Sequence, residues 1–437
     1  MTVPAAEMPP EAVPRARRAL RLDLLLVAVT AALLLAVPLY VSMTGQDMMR
    51  LPKELLLRAG AILIAAIAAI GLVLRKLSFS RRLPVDGALA IAAVAWCAIT
   101  TLTSTNRTLS LRALAYVTAA VVVYFAASYA ITRMRPILVL GIALVPAIFN
   151  AVAAMMQAFG GWNPFFVPEE LPRRAHTIGF LGNPDYVGAY MVPAILTALA
   201  IARAWKGVVR FGALGLVVVF ATAAMLSQSI TTLIALVAGI VTMAFVGAGM
   251  RMRIAGIVVL IAVVAGIWYY PATRARFRET AVAVVELRLD ALISGRLGAF
   301  VAAAEMAKSR PLVGMGPGCF AYHFMTYRIA AEDKYTFMRT AGKGLNFGEV
   351  HNDHLQLLAE TGVPGWLIFA GALIALGLRT LTPGQTPTVR FARTLATPLA
   401  VSLAVLALAQ FPLELASVLL LYIWLAVTVF RWSDDVA

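Results

Sequence analysis

The chain has 437 residues, of which 61% are hydrophobic and 13% charged, and it carries a formal charge of +16. That composition excludes a water-soluble domain with polar residues on all sides and predicts an all-α polytopic membrane protein. The positive charge falls in clusters at span ends, as topological bias requires, so membrane lipid headgroups are its expected partner and nucleic acid is not.

Residues 1–21 open with four prolines in the first fourteen positions and no apolar period, which reads as a disordered cytoplasmic tail. A span needs about 20 apolar residues, and about twelve candidates follow. They run over 22–43, 55–74, 84–103, 113–132, 136–158, 186–202, 211–226, 230–249, 254–270, 363–378, 395–411 and 415–430. The first follows a basic stretch but closes on no small-residue cleavage site, so it is expected to remain as a span. Basic groups mark alternate ends: Arg15, Arg17, Arg18 and Arg21; Arg75, Lys76, Arg81 and Arg82; Arg133 and Arg135; Arg203, Lys206 and Arg210; Arg251 and Arg253; Arg379, Arg390 and Arg393; Arg431. By the positive-inside rule these ends are cytoplasmic. Both termini are then expected inside, residues 22–437 form one integral membrane domain, and two segments, 159–185 and 271–360, lie outside. Cys97 falls in a span and Cys319 in the second external segment, so a mutual disulfide is not expected.

The long external segment has order of its own. Arg296 to Ser309 places Leu297, Phe300, Val301 and Ala304 near a helical repeat that Arg310-Pro311 ends, and Ala281 to Ile293 reads as a second amphipathic helix. Gly314-Met315-Gly316-Pro317-Gly318 is expected as a tight turn with exposed backbone amides. The spans carry little charge, with Asp86 and Glu414 near predicted ends, which argues against an ion-coupled transporter.

Titratable residues crowd the external side. His351 is a candidate general base, since an imidazole with a pKa near about 6.5 is poised to take a proton at neutral pH; the alternative is an interfacial histidine at a helix entry, with Asn352 or Asp353 as the cap. His354 falls three residues on, but the pair lacks a third ligand at a familiar spacing, so no metal is expected and His354 reads as a supporting or packing residue. Arg296 is the leading anion-binding candidate, with lipid phosphate as the alternative ligand. Arg173, Arg174, His176 and Arg310 line the same basic cleft or remain solvated charges. Gly179 to Tyr186 closes the first external segment, where Asn183 and Asp185 either shape the turn into the next span or touch substrate.

Three separated segments carry a resemblance. The element Gly179-Phe180-Leu181-Gly182-Asn183-Pro184-Asp185 comes first. Next are Gly295-Arg296-Leu297 and the block Arg310-Pro311-Leu312-Val313-Gly314-Met315-Gly316-Pro317-Gly318-Cys319-Phe320. Last is His351-Asn352, followed after nine residues by Gly362 and Gly365 at the head of the apolar run Trp366 to Leu378. Their order and spacing resemble the O-antigen ligase and O-antigen polymerase superfamily. Asp185 stands where the family more often has Asn, and Ser227-Gln228-Ser229-Ile230 lacks the arginine that the family carries there. The resemblance implies a GT-C-like, all-helical glycosyltransferase of the bacterial inner membrane with a periplasmic active site and no cofactor. It implies inverting transfer of a glycan from undecaprenyl diphosphate, with His351 as base, Arg296 on the diphosphate, and Asn352, Gly316 and Gly318 among the substrate-binding positions. The acceptor is expected to be the lipid A core sugar, as for a ligase. A growing glycan, as for a polymerase of O-antigen or exopolysaccharide, is the alternative; a protein acceptor or a polysaccharide transporter ranks below both.

Overall fold

The computed structural model describes residues 22–44, 47–77, 83–171, 173–245, 271–286, 295–339 and 346–434, with single positions between 254 and 290. The expected tail over 1–21, most of the expected span over 254–270, and the side chain of Arg173 lie outside the described residues.

Every regular element among them is a helix. The order is α1 Leu22–Ala36, α2 Arg50–Val73, α3 Val85–Leu102, α4 Arg107–Ile131, α5 Pro136–Phe159, the short α6 Arg173–His176, α7 Pro184–Ala204, α8 Val208–Leu226, α9 Ile230–Phe245, α10 Pro271–Val285, α11 Leu297–Ser309, α12 Phe320–Lys334, α13 Asp353–Leu378, α14 Pro387–Leu406 and α15 Ala416–Asp434. Nine are long and apolar enough to cross a membrane, and α1 and α9 are shorter apolar helices. Thus eleven of the twelve expected runs are helical, and the chain is an all-α polytopic membrane protein. α1 stops before Pro38, which cannot continue a helical hydrogen-bond ladder.

The helix entries follow the polar residues in front of them. The Asp47 carboxylate accepts from the Met49, Arg50 and Leu51 amides at the head of α2. Asn106, Asn183, Asn352 and Thr386 cap α4, α7, α13 and α14. α7 is the axis of the bundle: 94% of its apolar window is buried, against 28% for α2, α3 and α8, whose apolar faces are left to lipid. Successive helices reverse direction. The loops 37–49, 103–106, 160–183, 227–229 and 407–415 therefore gather at one end, beneath the external helices. At the other end the Asp86 carboxylate accepts from Tyr124 and Arg431, and Arg379 pairs with Asp434 at 2.7 Å.

Two external elements differ from expectation. Of the helix expected over Ala281 to Ile293, residues 281–285 form the end of α10, which begins earlier at Pro271, while 287, 289 and 291–293 lie outside the described residues. Proline, which lacks an N–H and has φ preset, suits the first position of α10, and the chain turns at Glu286, whose amide bonds the Val282 carbonyl. α12 has no single apolar stripe to read, because Arg328 lies on its buried side with Phe320 and Phe324 while Tyr322, Met325 and Ile329 face outward.

α13 is two helices fused across a break at Gly362, where φ is +69°. The turn over 310–314 docks into that break: the Val363 amide donates to the Pro311 carbonyl at 2.8 Å, and Trp96 of α3 donates to the Thr361 carbonyl at 2.8 Å. A Cβ at Gly362 would lie 2.3 Å from the Leu312 oxygen. Gly362→Ala is therefore expected to abolish recovery of folded protein or lower its thermal midpoint by about 2 °C or more, an effect of about 2 kcal/mol or more. Gly141→Ala, in the open middle of α5 with nothing within 4 Å of its Cβ, is expected to leave the midpoint unchanged or raise it, since alanine favours a helix by about 1 kcal/mol.

Candidate active site

The loop 407–415, between α14 and α15, organises the cleft. Residues close together in it reach in turn to groups from distant parts of the chain. The Ala409 carbonyl accepts from the Arg296 guanidinium at 3.0 Å, and Gln410 donates to the Ser229 hydroxyl at 3.0 Å. The Phe411 ring meets the His351 ring edge-on with centroids 4.7 Å apart, and Glu414 lies 3.9 Å from Arg50. His351 itself has φ +58°, a left-handed conformation uncommon for a residue with a side chain. It is held there from both sides. Asn352 caps α13 by accepting from the Leu355 amide at 3.0 Å, and the Val350 amide donates to Gln356 at 3.1 Å. Phe347 closes the far side of the ring, with centroids 6.0 Å apart.

One flank of His351 is basic. Arg174 donates to the Ser227 carbonyl at 2.9 Å and pairs with Asp185 at 2.6 Å, and Asp185 also interacts with Ser229 and with the Arg296 charge. Arg174, Asp185, Arg296 and His351 thus converge although they come from four separate segments. The other flank carries carboxylates. Arg50, at the head of α2, is ion-paired with Glu349 and with Glu54 and sits over the Phe411 ring at 5.5 Å. Lys53, one turn on, donates to the Tyr40, Met49 and Phe180 carbonyls at 2.7–2.9 Å and ties this flank to the Gly179–Gly182 loop. A pocket lined by Arg50, Lys53, Leu181, Tyr186 and residues 415–418 opens here.

The other expected site residues are engaged elsewhere. His354 does not turn toward His351: its Nε2 lies 3.0 Å from the Ala404 carbonyl and its Nδ1 accepts from Trp366 at 3.1 Å. With both nitrogens used in helix packing, it is a packing residue, and the two histidines do not form a ligand pair. Arg310 donates to the Thr103 and Gly314 carbonyls at the end of α3. The amides of the glycine turn, expected to be exposed, are occupied. Those of Gly318 and Phe320 bind the Glu360 carboxylate at 2.8 and 3.0 Å, and that of Gly316 binds the Glu360 carbonyl at 2.9 Å. Asn183 caps α7 with its side chain on the Asp185 amide, as a turn residue would. His176 is half-buried at the end of α6, beside Arg174.

Sequence reasoning passed over Arg50, Glu349, Gln410 and Phe411. Glu414 alone left a signal, as a carboxylate between two apolar runs. Burial and the Arg296 guanidinium push the His351 imidazole down to about 4, Asp185 opposes them, and Arg50 adds to the depression. Burial raises the Glu414 carboxyl to about 7 against the pull of Arg50. Its side chain is nevertheless 37% accessible, so it borders open space within the fold. A neutral imidazole between guanidiniums can accept a proton but holds it weakly, while the cations are placed to receive an anion.

Residues 215–370 match the family model described as O-Antigen ligase. The match takes in Arg296 and His351 and leaves Arg50, Arg174, Asp185 and Glu414 outside. No curated protein matches the chain.

The cation-flanked ring sets a titration. His351 stays neutral above about pH 4, so proton acceptance by it is retained through the pH 5–7 range and is lost only as the pH falls through about 4. NMR of histidine-labelled protein, with His351→Gln to assign the resonance, is expected to give a midpoint near 4; a midpoint at or above about 6.5 would contradict this arrangement of charges.

Proposed function

On the premise that its O-Antigen ligase domain over residues 215–370 places the chain in the O-antigen ligase and polymerase superfamily of membrane glycosyltransferases, we propose that it is a ligase. It moves a glycan from undecaprenyl diphosphate to the lipid A core sugar at the periplasmic face of the bacterial inner membrane. The observation that carries this reading is the convergence of Arg174, Asp185 and Arg296 beside His351 at the end of the bundle where the external helices sit.

In this reading His351 removes the proton from the acceptor hydroxyl as its oxygen attacks the anomeric carbon from the face opposite the diphosphate. The carbon–oxygen bond to the carrier breaks, its electron pair stays on the diphosphate, and the configuration inverts. Negative charge grows on the leaving group during this step, so fixed guanidiniums there lower the barrier more than they stabilise the ground state. The reaction needs neither a nucleotide sugar nor a metal, and the fold is of the GT-C kind. Arg174 supplies the cation that the sequence lacks at Gln228: its guanidinium bonds the carbonyl of the adjacent Ser227 and is oriented by Asp185, the acid at the position where the family more often has an amide. The amphiphilic donor suits this location, because its tail can remain in lipid while its headgroup meets the cleft.

His351→Ala is expected to lower transfer by about 10²- to 10⁴-fold, and Arg174→Gln by about 10²-fold or more, with normal membrane insertion. In a deletion strain, long glycans accumulating on undecaprenyl diphosphate beside bare lipopolysaccharide are the expected result. Single repeat units on the carrier would make the protein a polymerase, and an unchanged profile in both pools would remove the glycosyltransferase reading for those glycans.

A further inference from the structure

Guanidiniums stand on both flanks of His351 but carboxylates are unevenly placed around them, and a transfer site must hold two chemically different partners. On one side Arg174 pairs with Asp185, and the Arg296 charge acts on the same carboxylate. On the other, Glu349 and Glu414 stand around Arg50, and Gln356 donates to Glu414 at 3.3 Å. We propose that the Glu349–Glu414 flank is the acceptor subsite and that it binds a hydroxyl-rich, unphosphorylated sugar ring next to His351. This rests on the glycosyltransferase reading above and assigns a side to each partner.

Three observations support the assignment. Carboxyl oxygens accept hydrogen bonds from sugar hydroxyls in either protonation state, whereas guanidiniums attract phosphate, so the groups at Glu349 and Glu414 suit a sugar better than a diphosphate. The Glu414 side chain is 37% accessible although it lies deep in the fold, and it is held in place from behind by Arg50 and Gln356. The neighbouring pocket includes Ser417, whose hydroxyl is buried without a hydrogen-bond partner. A buried hydroxyl of that kind is costly unless a ligand atom satisfies it. Arg50, ion-paired with Glu349 and Glu54 and 3.9 Å from Glu414, holds the carboxylates in place.

The test is steady-state transfer by the purified full chain in detergent. The donor is undecaprenyl diphosphate-linked glycan extracted from the deletion strain, and the acceptor is lipopolysaccharide from a strain that makes lipid A core alone. Glu414→Gln is expected to raise the acceptor KM at least tenfold while the donor KM stays within twofold, and Arg174→Gln is expected to do the reverse. Glu414→Asp, which keeps the charge, is expected to fall between wild type and Glu414→Gln, and it carries the test if the amide variant does not give a wild-type unfolding midpoint. An acceptor KM within twofold of wild type in both Glu414 variants, or a donor KM that rises equally, overturns the assignment and leaves the transferase reading intact. Absence of transfer by the wild-type protein itself overturns both.

Discussion

The site depends on a knot tied by one buried residue, Asp353. Its amide donates to the Ala407 carbonyl at 2.8 Å, and its carboxylate accepts from the Leu413 amide at 2.9 Å, so the first residue of α13 closes the neck of the loop 407–415. Three contacts of the cleft hang from this closure: Ala409 on Arg296, Gln410 on Ser229, and Phe411 on the imidazole itself. The same neck fixes where α13 begins, and therefore where the chain before it must turn through the left-handed conformation at His351. A backbone so constrained keeps one side chain in one place, which a base that must meet a substrate hydroxyl within hydrogen-bond reach requires.

A second closure sits a little over two turns along α13. Glu360 gathers the amides of the glycine turn, Gly362 admits the carbonyls of Pro311 and Leu312, and Trp96 reaches in from α3. The external helices α11 and α12 are thereby fastened to the membrane bundle through backbone groups that helix breakage had freed. Backbone broken near the bilayer must find partners inside the protein, and here those partners are the turn that brings Arg296 and its helix into register with the cleft. The glycine turn, whose amides the sequence leads one to expect exposed, thus serves the architecture.

Much of the fold was legible because hydropathy and caps are local properties. Apolar runs of the right length gave eleven helices, and Asn352, one of two caps the sequence offers after His351, is the one the structure uses. α12 was not legible, since both of its faces carry apolar residues and its buried face also takes in an arginine. Of the residues that converge in the candidate site, His351, Arg296 and Asp185 lie in short motifs, whereas Arg174 reads in sequence only as one of several charges in the first external segment. His354 reads in sequence as a supporting or packing residue, and it packs against Ala404 and Trp366; a three-residue spacing puts two side chains on one face only if both lie in the helix, and His351 precedes the first turn with φ +58°.

The sequence by itself determined that this chain must be a bundle of membrane helices and about where in the chain most of them lie. Those follow from composition and from periods of a few residues. Only the tertiary structure decided that Arg50 meets Glu349 across 299 positions, that Arg174 stands beside the Ser227–Ser229 turn, and that Glu414 faces open space beside them. No spacing encodes such meetings. They are set by which helix packs on which, and by the need of buried charges to find partners once the surrounding apolar faces have closed.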